Sequence, residues 1–136
     1  MDKIVYILLR LGVGISMFGH GLVRLLKLNS FSNWLVIEFK KSVLPEFIVI
    51  PFSYALPFAE FLVGLLLLMG LFTRTALLTG AIIILLLLFG TSMIENWEAI
   101  PSQLIHLAFF CILLQYFEVN TLTLNKLFQK SKKYDQ

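Results

Sequence analysis

Residues 75–94 carry no charged side chain and contain the unbroken apolar run 82–89. A helix needs about 20 mainly apolar residues to cross the hydrocarbon core of a bilayer, and this stretch meets that length. Three further stretches do the same, at about 4–26, 54–72 and 101–118. Backbone N–H and C=O groups in lipid find no water, so each stretch must satisfy its own hydrogen bonds by forming a helix. Composition agrees. Of 136 residues, 59% are hydrophobic and 14% charged, against about 25% charged in a soluble domain. A soluble chain this short could not hide so much apolar surface. A soluble enzyme, a secreted disulfide scaffold and a disordered chain are excluded. The expected fold is an all-α membrane protein, one four-helix transmembrane bundle spanning 1–136 as a single domain.

The lone Cys111 excludes an intrachain disulfide, a CxxC redox pair and a multi-cysteine metal site. It falls in an apolar stretch and reads as a packing residue. The net charge of +3 comes largely from a Lys-rich tail, 119–136. Base-reading motifs are missing, so this charge reports topology and a bilayer surface, not nucleic acid. The first span follows Lys3 like a signal sequence, but it is too long, holds Arg10 and precedes no small-residue cleavage site. It is kept as a helix. Thr73-Arg74 alone separates the second and third spans, which predicts a tight antiparallel hairpin, and the turn 95–100 is also short. The connection 27–53 is long. Phe31, Trp34, Leu35 and Phe39 repeat there at helical spacing, with Asn33, Glu38, Lys40 and Lys41 elsewhere. It reads either as an interfacial amphipathic helix or as a loop packed over the bundle. Pro45 and Pro51 are expected to break the chain before the second span, with Pro57 in that span's first turn. Lys3, Arg74, Lys126, Lys130, Lys132 and Lys133 share one side, against Lys40 and Lys41 on the other with Arg24 and Lys27 near a helix end, and the positive-inside rule makes the first side cytoplasmic, together with both termini.

Ionisable groups within a bilayer are costly, so each needs an account. At about 1.5 Å of rise per residue, His20, Glu60 and His106 all fall roughly 6–10 Å beneath the outer surface, on three different spans. Ser16, His20 and Arg24 share a face at i, i+4 spacing. Arg10, Gly14, Met17 and Gly21 lie on the adjoining arc, whereas Leu11, Ile15, Phe18, Leu22 and Leu25 are expected to meet lipid. Glu60 shares its face with Gly64, where a neighbouring helix can approach closely. Ser102 and Gln103 flank His106, and Cys111 and Gln115 point elsewhere.

Three readings of this cluster stand side by side. One is a structural network in which Arg24 or His20 pairs with Glu60 and His106 bonds across the bundle. Another is a ligand site of Ser16, His20, Arg24, Glu60, Gln103 and His106 for a quinone-like molecule. The histidines would hold carbonyl oxygens there, and Glu60 and His20 would handle protons as the catalytic pair. The third is haem or metal ligation through the two histidines, with or without Glu60; no motif supports it, and no metal site is assigned. Arg10 stands apart, about 9 Å from the cytoplasmic side. It can snorkel inward, meet Glu118, or hold an anionic lipid.

Two stretches resemble the DoxX family of small four-helix membrane proteins. The first holds Arg10, Gly12 and Gly14, then Phe18-Gly19-His20-Gly21, then Arg24. The second holds Glu60 and Gly64, then Gly70-Leu71-Phe72-Thr73-Arg74-Thr75-Ala76. The chain departs from the pattern at Arg24, more often lysine, and in residues 119–125, where the family often ends Gly-rich and then Ser-Leu-Asp. His106 lies outside the pattern. The resemblance implies a multi-pass protein of the bacterial or archaeal cytoplasmic membrane. It also implies a subunit linked to quinone oxidoreductases or redox-stress complexes, with protein partners. The chain has no flavin or nicotinamide fingerprint, so a redox role would take its electrons from a partner. A non-catalytic accessory or scaffold subunit is the alternative. A small transporter is weaker, because no inverted repeat or broken-helix pair is visible.

Overall fold

The computed structural model describes residues 1–121 and 123. The tail lysines expected to mark the cytoplasmic side, Lys126, Lys130, Lys132 and Lys133, therefore lie outside the described residues. Among those described, the chain forms five α-helices: α1 (Lys3–Leu26), α2 (Leu28–Phe39), α3 (Glu46–Met69), α4 (Thr73–Met93) and α5 (Ile100–Gln115). A short 3-10 turn, Trp97–Ala99, leads into α5 and another, Phe117–Val119, follows it. Four helices are long and apolar enough to cross a membrane: α1, α3, α4, and α5 with its leading turn. The fold is thus the all-α, four-span bundle. Its surface is apolar where a soluble protein would be polar, with Ile4, Leu8, Ile15, Phe58, Leu62, Ile82 and Phe89 exposed.

Local chemistry explains the ends. Asp2 caps α1, its carboxylate accepting from the Ile4 N–H at 2.8 Å. Lys27, at φ −125° and ψ 35°, breaks the helix for one residue before α2 begins. The connection is therefore helical. Ser32, Leu35 and Phe39 form its buried edge, while Trp34 and Ile37 stay exposed. That edge packs on α3. Ser53 donates to the Ile50 carbonyl, so Ser32 must donate the 2.6 Å bond that joins the two buried hydroxyls.

The second spanning helix begins at Glu46, well before residue 54, and both Pro51 and Pro57 lie inside it. Pro45 does stop the chain, standing extended as the N-cap with its carbonyl accepting from Ile48 and Val49. Pro51 costs the helix only its bond to the preceding turn, and the helix runs on. The hairpin loop is 70–72, and Thr73 and Arg74 already belong to α4. Gly70 supplies the left-handed turn (φ 66°), with Leu71 N–H bonding back to the Leu66 carbonyl at 3.0 Å. The last spanning helix stops at Gln115, before residue 118.

α1 and α3 pack at close range through a reciprocal contact. A Cβ on Gly21 would strike the backbone of Phe61, and a Cβ on Gly64 would strike the backbone of Phe18. The two phenylalanine rings then lie 5.0 Å apart, tilted by 33°. Phe18, expected to meet lipid, is half-buried here, because the notch at Gly64 admits it. Leu11 and Leu25, also expected to meet lipid, are half-buried as well, whereas Ile15 and Leu22 face outward. Elsewhere Gly80 receives the Phe110 ring.

Gly64→Ala should therefore force α1 and α3 apart and lower the unfolding midpoint in detergent, at a cost of about 1–3 kcal/mol. Gly12→Ala, where a Cβ meets no described atom within 4 Å, should leave the midpoint unchanged or raised.

Candidate functional site

Successive turns of α1 carry Ser16, His20 and Arg24 toward the end of the bundle away from the N-terminus. Glu60 comes from α3, and Gln103 and His106 from the first turns of α5. His20, Arg24, Glu60, Ser102, Gln103 and His106 line one cavity of about 210 Å³, whose apolar wall is Met17, Ile84 and Leu87. Ser16 reaches it through His106.

The centre of the cluster is an ion pair. Arg24 Nη1 donates to both carboxylate oxygens of Glu60 at 2.6 Å. The Glu60 side chain is 3% exposed and that of Arg24 26%. A carboxylate so enclosed among apolar helices needs a counter-charge close by. The Gly21 and Gly64 contacts supply the proximity, since Glu60 and Arg24 lie next to that crossing on their helices. α2 completes the arrangement by placing the Phe31 ring 4.8 Å from the Arg24 guanidinium carbon.

His106 ties α5 to α1. Its Nδ1 lies 2.8 Å from the Ser102 carbonyl, which can only accept, so Nδ1 carries a proton. In the neutral ring Nε2 then accepts from the Ser16 hydroxyl at 2.7 Å. Gln103 donates to Thr91 Oγ1 at 2.8 Å, and among the described residues its buried Oε1 has no donor. His20 is exposed and makes no hydrogen bond among the described residues, although it lines the cavity. No group of three or more His, Cys, Asp or Glu side chains among the described residues is placed to hold a metal ion.

Arg10 sits elsewhere and is not a surface-seeking side chain. It is 1% exposed and packed in the bundle. Its Nη1 donates to Asn120 Oδ1 at 2.9 Å, while Glu118 is exposed and makes no described pair with it. The turn Phe117–Val119 swings the chain so that Asn120, not Glu118, comes under α1. Cys111 and Gln115 are exposed, away from the cavity.

Two contributors escape a reading by ionisable groups. Phe31 is one apolar residue among many, and its place over Arg24 depends on the break at Lys27. Thr91 was visible as a polar residue near the end of an apolar span, yet its link to Gln103 needs the α4–α5 packing.

Arg24→Leu strands a buried carboxylate and should cost about 3–5 kcal/mol of stability in detergent. Glu60→Leu should cost less, because Arg24 can turn toward the surface. The double variant Arg24→Leu/Glu60→Leu should recover most of the loss, which a double-mutant cycle of unfolding midpoints reads directly.

A family model described as DoxX matches residues 5–94. No curated protein and no solved structure matches the chain. The matched region runs from α1 to the end of α4 and holds Ser16, His20, Arg24 and Glu60; Gln103 and His106 fall beyond it. The match covers well over half of the 136 residues, and the chain belongs to the DoxX family.

Proposed function

We propose that this DoxX-family membrane protein is a redox-associated subunit that binds a quinone-like molecule in the cavity between α1, α3 and α5. One observation carries the reading. A single cavity combines an apolar wall, cationic and imidazole donors, and a buried acceptor, Gln103 Oε1, with no described donor. A quinone has a flat apolar ring and carbonyl acceptors, and its reduced form carries hydroxyl donors. Arg24 and His20 would donate to a carbonyl, and Gln103 would accept from a hydroxyl of the reduced ring. Reduction of a quinone takes two electrons and two protons. Glu60 and His20 would pass the protons, and a partner protein would supply the electrons. In the sequence, Lys3, Arg74 and the four tail lysines outnumber Lys27, Lys40 and Lys41 of the opposite connection, which supports cytoplasmic termini. The cavity would then face the outer leaflet of a bacterial or archaeal cytoplasmic membrane.

A second reading, an accessory subunit that holds partners without chemistry, draws on a different observation. Arg24 with Glu60, and Ser16 with His106, already satisfy each other. Such closed pairs join helices whether or not a ligand binds.

Native extraction into lipid discs, with quantification of co-purified quinone, separates the two. The redox reading expects quinone well above its share of the extracted lipid, lost in the Arg24→Leu/Glu60→Leu variant. Quinone at the lipid background in both proteins, with partner proteins retained, would sink it in favour of the accessory reading.

A further inference from the structure

A groove lies beside the cavity and shares two residues with it. His20 and Arg24 line the cavity from within, and the same two residues line the groove on the outward face of α1 together with Ile15, Ser16, Gly19 and Val23. Ile15 is 63% and Val23 54% exposed, so on a membrane-spanning helix this face meets lipid. Gly19 leaves the floor of this shallow groove without a side chain: among the described residues, no heavy atom lies within 4 Å of where its Cβ would stand. The groove holds about 420 Å³ against about 210 Å³ for the cavity. Sites for small ligands usually measure about 300–1,000 Å³, so the cavity alone is small, and cavity plus groove falls in that range.

We propose that the ligand is a long-tailed amphiphile that enters sideways from the bilayer, its apolar tail lying in the α1 groove and its polar ring passing His20 to reach Arg24 and Gln103. This rests on the quinone reading of the cavity and adds to it the class of molecule and the route. The groove is polar only at its inner edge, at Ser16, His20 and Arg24, and its outer wall is aliphatic. That division matches one molecule with a polar end and an apolar end. His20 stands where the two spaces meet, which accounts for a histidine with no described hydrogen-bond partner beside a network whose other members are bonded.

Binding of two probes to the purified full-length protein in lipid discs tests the proposal: a benzoquinone without a tail, and the same ring with a decyl chain. Gly19→Leu fills the groove from a position with open space, and Val23→Trp narrows it from its outer wall. Gly12→Leu, also at an open position on α1 but off the groove, is the control. The expected result is tailed-probe affinity about tenfold weaker in Gly19→Leu and Val23→Trp, from lost burial of several methylenes. The tail-less probe should change by less than about twofold, and Gly12→Leu should change neither. Unfolding midpoints check that each variant folds, and Val23→Trp carries the test if Gly19→Leu does not. Unchanged tailed-probe affinity in the folded groove variants, or equal weakening of both probes, overturns the groove and leaves the cavity reading standing. Wild-type protein that binds neither probe overturns both.

Discussion

A carboxylate inside an apolar bundle sets the terms for the rest of this molecule. Glu60 is almost wholly enclosed, and only a cation at hydrogen-bond distance makes its burial tolerable. Arg24 is that cation, and it lies beside the point where α1 and α3 pack at close range. The Gly21 and Gly64 notches provide that range, each admitting the other helix's phenylalanine backbone. Close packing and charge pairing are thus one arrangement seen from two sides. Without the glycines the pair would be stretched; without the pair the close approach would bury an unmatched charge.

The remaining polar contacts extend from this pair without adding charge. Phe31 meets Arg24 from α2, Ser16 joins α1 to His106 on α5, and Gln103 joins α5 to Thr91 on α4. Every helix therefore has a member in or beside the cluster. Lipid offers no hydrophobic drive for helices to associate, so packing and such polar links carry more of the specificity than in a soluble bundle. The same economy explains why the site is near one end. Long polar side chains there lie close to the interface, where solvation costs least.

Much of this was legible in the residues. Mainly apolar runs of spanning length gave the four spans, because a bilayer demands about 20 such residues whatever the local preference. Helical rise, counted from a second span starting near residue 54, put His20, Glu60 and His106 at one depth; α3 starts eight residues earlier, and the three residues nonetheless line one cavity. Hydropathy could not say where helices end outside the apolar core, so the first turns of α3, with Pro51 in them, went unread. Nor could periodicity on one helix show what its neighbour leaves open. Phe18 lies on an arc of leucines and isoleucine, yet its backbone packs into the notch at Gly64, and Leu11 and Leu25 of that arc are half-buried too. For Arg10 the sequence leaves open the cytoplasmic surface, Glu118 or an anionic lipid. Its described partner is the neutral Asn120, brought under α1 by a turn that no hydropathy pattern announces.

The order of the ion pair along the chain has its own consequence. α1 precedes α3, so a ribosome delivers Arg24 to the membrane before Glu60 is made. The carboxylate arrives with its counter-ion already in place, and α3 comes as one arm of a hairpin whose other arm, α4, carries no acidic residue. The costliest side chain in the bundle never has to wait in lipid alone. Reversing the two charges would remove that advantage from its assembly, along with the contact between Phe31 and Arg24.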